Sequence, residues 1–144
     1  MEKEDTKPTA LSGVKPLSES MIPRVAVQHL RNCGKSVVWI TAPAGSGKTT
    51  LAAQLCEHEG QPFVWLRIEA RMAAMGVFLS AFLAAFRKAF PRQALPALSS
   101  EDIAFPVDYL RRLIAAGGSS RPMLIVLDDL HVLPMDADPL QALA

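Results

Sequence analysis

A chain of 144 residues, half of them hydrophobic and a fifth charged, has the length and composition of one globular domain. A net charge of +1 excludes the broad basic surface that a nucleic acid or an acidic membrane asks for. Two cysteines, Cys33 and Cys56, have no metal-ligand pattern around them and read as reduced, partly buried thiols of a cytoplasmic protein.

Residues 1–20 are polar, carry Pro8, Gly13 and Pro16, and read as a mobile, disordered tail. The acids Glu2, Glu4 and Asp5, with no apolar run behind them, exclude a secretory signal. Pro23 opens a short helix to about Asn32, with Val25, Val27 and Leu30 as its apolar residues, and Gly34 ends it. Ser36 to Thr41, Ser-Val-Val-Trp-Ile-Thr, is β-branched, aromatic and nearly all apolar, which predicts a strand buried on both faces of a parallel sheet. A glycine-rich loop follows, then a helix from Lys48 to about His58, stopped by Gly60 and Pro62. Phe63 to Ile68 reads as a second strand.

Residues 72–90 predict the longest helix, ended by Pro91. Its uncharged stretch, Met72 to Phe86, counts 15 residues, short of the roughly 20 that a membrane span needs. The spacing of Phe78, Leu79, Phe82, Leu83 and Phe86 fits one face of a packed helix instead. Residues 91–105 read as a loop, Pro106 to about Ala116 as a helix broken by Gly117-Gly118-Ser119-Ser120, and Met123 to Leu127 as a third, wholly apolar strand ending in Asp128-Asp129. This alternation predicts an α/β fold, a parallel sheet flanked by helices. The chain stops at Leu140 to Ala144 inside a new helix, so residues 21–144 read as the N-terminal part of a domain that is incomplete at its C-terminal end.

The loop between the first strand and its helix is Ala42-Pro43-Ala44-Gly45-Ser46-Gly47-Lys48-Thr49-Thr50. A triphosphate needs many donors aimed at one anion, and a tight loop of backbone N–H groups supplies them where side chains leave room. Gly45 and Gly47 leave that room and take positive φ readily. The helix that starts near Lys48 turns its positive end to the phosphates. Lys48 is suited to the β- and γ-phosphates, Thr49 to magnesium and Thr50 to the α-phosphate. The strict pattern asks for glycine at position 42, where this chain has Ala42.

An apolar strand that ends in carboxylates is the usual second half of such a site. Asp128 fits a magnesium ligand, directly or through water, and Asp129 fits the group that orients the attacking water. The alternative is that both acids cap the next turn. His131 reads as a surface histidine, with a role near the γ-phosphate as the alternative, Arg24 as a neighbour of base or ribose, and Arg67, Arg71, Arg111 and Arg112 as solvated.

Ile40 to Leu51 resembles the phosphate loop of the MalT-like regulators, large LuxR-type transcriptional activators with a STAND-class P-loop NTPase domain, in which alanine at position 42 is common. Val126 to Leu133 resembles the family's second acidic motif, histidine included, Ile22 to Val25 the segment before the loop, and Phe63 to Leu66 the second strand. Ser46 departs from the family's usual aromatic residue, and Arg67 to Arg71 from its acidic segment. The resemblance implies a partial P-loop NTPase of STAND or AAA-like type with ATP and Mg²⁺ as its ligands. It implies a DNA-binding C-terminal part that this chain lacks, and self-association of the full-length relatives. No DNA binding by these residues and no membrane partner are expected. The implied sheet order sets a fourth strand, beginning after residue 144, between the first and the third, so the isolated fold is expected to be poorly cooperative. Three functions compete: a nucleotide-dependent signalling switch that hydrolyses ATP slowly, a stand-alone kinase or ATPase, and a truncated, non-catalytic remnant. The second would need a basic acceptor cluster around the phosphates, which is not visible.

Overall fold

The computed structural model describes residues 24–32, 34, 37–118 and 122–144; of Arg24, Val25, His58 and Glu59 it describes the backbone. The expected tail, residues 1–20, lies outside the described residues, as do Cys33 and Ser36. Two compact units divide between Gly60 and Gln61.

The first unit holds two helices, α1 (Arg24–Asn32) and α2 (Lys48–Glu59). Gly34, at φ 62°, takes the left-handed conformation just past α1. Gly60, at φ 60°, caps α2 in the same way, as expected of a residue that pays no Cβ penalty there. Val27, Ala53 and Cys56 are buried.

Between these helices the structure corrects the expected first strand. Val37 to Thr41 carry no strand ladder, and Val37 and Trp39 are 80% and 74% exposed. The composition suits a buried strand, but a strand exists only through hydrogen bonds to a neighbour. Among the described residues the sheet has two strands, and this segment is not one of them.

The second unit is built on that sheet. Strands β1 (Phe63–Arg67) and β2 (Leu124–Asp128) run parallel, with Phe63 opposite Leu124 and Arg67 opposite Asp128. The pairing continues at both ends, where the Leu124 N–H donates to the Pro62 carbonyl at 3.0 Å and the Ile68 N–H to the Asp128 carbonyl at 2.8 Å. Helix α3 (Met75–Ala89) lies against β1. Its predicted face, Phe78, Leu79, Phe82, Leu83 and Phe86, is buried with Val64, Leu66 and Ile68. Each such side chain contributes roughly 1.5–3 kcal/mol by leaving water. The four-residue period stacks the rings of Phe78, Phe82, Phe86 and Phe90 into a ladder with centroids 5.4–5.9 Å apart. Helix α5 (Pro106–Gly117), opened by its proline, closes the core with Tyr109, Leu110 and Leu113.

Three further boundaries differ from the sequence reading. The helix expected over 72–90 is a 3₁₀ turn (Ala70–Ala73) and then α3, separated by Ala74 in extended backbone. The Ala74 carbonyl accepts from the Val77 and Phe78 N–H groups at 3.0 Å, so this residue starts α3, while Met72 is buried in the preceding turn. The expected loop 91–105 contains a short helix, α4 (Ser100–Ala104), started by a capping box between Ser99 and Asp102. Finally β2, expected over Met123 to Leu127, begins one residue later and includes Asp128, and it is half-buried along its whole length. The chain's last helix is α6 (Asp138–Leu143), where a new helix was expected.

Candidate functional site

The glycine-rich loop folds within the first unit as a turn over Ala44-Gly45, with the Ser46 N–H donating to the Pro43 carbonyl at 3.2 Å. Gly45 and Gly47 stand at φ 77° and 87°, the left-handed region their positions were expected to need. A Cβ on Gly45 would meet nothing within 4 Å, so backbone conformation, not crowding, favours glycine there. Gly47 is also the N-cap of α2 and has no side chain to bond the first-turn N–H groups. A helix start capped in this way leaves its backbone donors available to an anion. Ala42 to Ser46 are exposed, and Gly47 to Thr50 half-buried.

Lys48 is the first residue of α2. Its Nζ turns back and donates to the carbonyls of Ala42 at 2.6 Å and Pro43 at 3.0 Å, so the ammonium group sits over the loop. Thr49 and Thr50 follow in the first turn. An open, mainly apolar hollow of about 560 Å³ is walled by His29 of α1, by Trp39 and Thr41, and by Leu51 of α2. Thr41 directly precedes the loop.

The two acids lie in the second unit. Asp128 is the last residue of β2 and half-buried, and its Oδ1 accepts from the Asp129 N–H at 3.1 Å. Asp129 takes φ 61°, the one non-glycine residue with positive φ among those described. Aspartate tolerates that conformation better than most residues. The kink ends the strand and starts a 3₁₀ turn over Leu130–Val132, in which His131 is exposed. Asp129 occupies the N-cap position of this turn, yet its side chain makes no cap bond.

That carboxylate has a different partner. Arg67 Nε donates to Asp129 Oδ2 at 3.0 Å, across the ends of β1 and β2. Arg67 is exposed, as expected of a solvated residue, but its guanidinium is engaged by this acid. The missed signal was its place at the last position of a strand parallel to the one that ends in Asp128. Arg71, Arg111 and Arg112 are exposed, as expected of solvated residues, and each also faces an acid, Glu69, Asp108 and the buried Asp102 in turn. The side chain of Arg24 lies outside the described residues.

Oxygen donors such as the Thr49 hydroxyl and the Asp128 carboxylate suit a hard cation such as Mg²⁺. Among the described residues, no group of three or more His, Cys, Asp or Glu side chains forms a metal cage. A cation that keeps waters and shares phosphate oxygens has no need of one. Among the described residues no helix is long and apolar enough to cross a membrane.

The family model for the AAA ATPase domain matches residues 24–144. No curated protein and no solved structure matches the chain.

Proposed function

The chain belongs to the AAA ATPase domain family, and from that premise we propose that it is the ATP-binding module of a MalT-like, LuxR-type regulator, a cytoplasmic switch set by its nucleotide. The observation that carries the reading is the loop itself: two glycines in left-handed backbone lead straight into the N-terminus of α2, with Lys48 folded over them. In this reading the N–H groups of Gly45 to Thr50 and the Lys48 ammonium hold the phosphates. Thr49 and Asp128 supply oxygens to Mg²⁺, which when bound neutralises the charge growing on the phosphates. Asp129 orients the attacking water. Lys48 must exchange the carbonyls of Ala42 and Pro43 for phosphate oxygens, a stronger, charge-assisted pairing.

The test is a titration of the whole chain with a fluorescent ATP analogue and Mg²⁺, beside Lys48→Ala. Saturable binding by the parent chain, weakened at least about tenfold in the variant, is expected from the loss of a charge-assisted contact. Equal affinities of the two chains, or no binding by either, would overturn the reading. A second reading, binding without turnover, is favoured by the unpaired segment Val37 to Thr41, because the residues leading into the loop lack the support of a sheet. Saturable binding with no release of phosphate from Mg²⁺-ATP would select it.

A further inference from the structure

We draw no further inference here: the strongest candidate, the open apolar hollow walled by His29 of α1, Trp39 and Leu51 of α2, lies beside the phosphate loop and belongs to the site already described.

Discussion

Arg112 reaches ten residues back along the chain to donate to the buried carboxylate of Asp102. The same carboxylate accepts from the Ser99 N–H and the Ser99 hydroxyl, each at 2.7 Å, so one acid side chain starts α4 and ties it to α5. The arginine also lies over the Tyr109 ring, 5.6 Å from its centroid, while the tyrosine hydroxyl donates to the Pro96 carbonyl at 3.1 Å. Segment 96–102 is held to the core through these contacts rather than by apolar burial alone.

Asp102 makes stability depend on pH. The Ser99 hydroxyl and N–H hold its carboxyl below the usual carboxylate range, and Arg112 adds to the effect against the opposing influence of burial. A carboxyl lowered in the folded state stabilises the fold fully above its unfolded value of about 3.9. That contribution fades as pH falls from there through the lowered folded value. Urea midpoints should therefore fall as pH is taken below about 4 in the parent chain, and Asp102→Asn should flatten that part of the profile while lowering stability at pH 7. Parallel profiles for the two chains would show that Asp102 is not the acid responsible.

Gly117→Ala should destabilise the second unit. A Cβ at this position would come within 2.9 Å and 3.0 Å of the Phe86 ring and 3.2 Å of the Phe90 ring. Phe86 is completely buried and stacked on Phe82, so it has nowhere to move. Overpacking of this kind costs about 1–3 kcal/mol. The alanine's better helix propensity offsets less than about 1 kcal/mol, since Gly117 is the last residue of α5. A net loss of about 1–2 kcal/mol is expected in denaturant unfolding; an unchanged midpoint would mean that the ladder of rings gives way more readily than its burial suggests.

Gly47→Ala tests the loop without removing a charge. At φ 87°, an alanine is strained by about 1–2 kcal/mol and relaxes to another conformation in the free chain. Binding must then restore the strained form, so affinity for Mg²⁺-ATP should fall roughly tenfold with little change in thermal midpoint. Equal affinity would show that the loop conformation does not matter to the ligand.

Cys56 should be inert while the chain is folded. It is 2% exposed, and burial, with Glu57 beside it, pushes its thiol up to about 11. At pH 8 only about a thousandth of it is thiolate, the form that reacts. In a Cys33→Ser background, a thiol reagent at pH 8 should label the chain only after denaturant is added. Rapid labelling of the native chain would show that α2 opens readily.

What could be read from the sequence were the features decided by neighbours along the chain. Gly34 and Gly60 at helix ends, Gly45 and Gly47 in the loop, Pro106 at the start of α5 and the four-residue period of phenylalanines in α3 all act through local dihedrals and contacts within a turn or two. Ser99 and Asp102 carried an equally local signal, the three-residue spacing of a capping box, which the reading of 91–105 as a loop passed over. The tertiary structure alone decided which segments pair. Val37 to Thr41 has the composition of a buried strand and stands outside the sheet, whereas Phe63–Arg67 and Leu124–Asp128, 57 residues beyond, share one ladder. Composition measures how well a segment would suit a sheet, but a strand's hydrogen bonds belong to a partner remote in sequence. The same distinction separates the loop glycines from the pairs Arg67–Asp129 and Arg112–Asp102. A side chain's charge is written in the sequence, but the carboxylate it meets is chosen by the folding of everything between them.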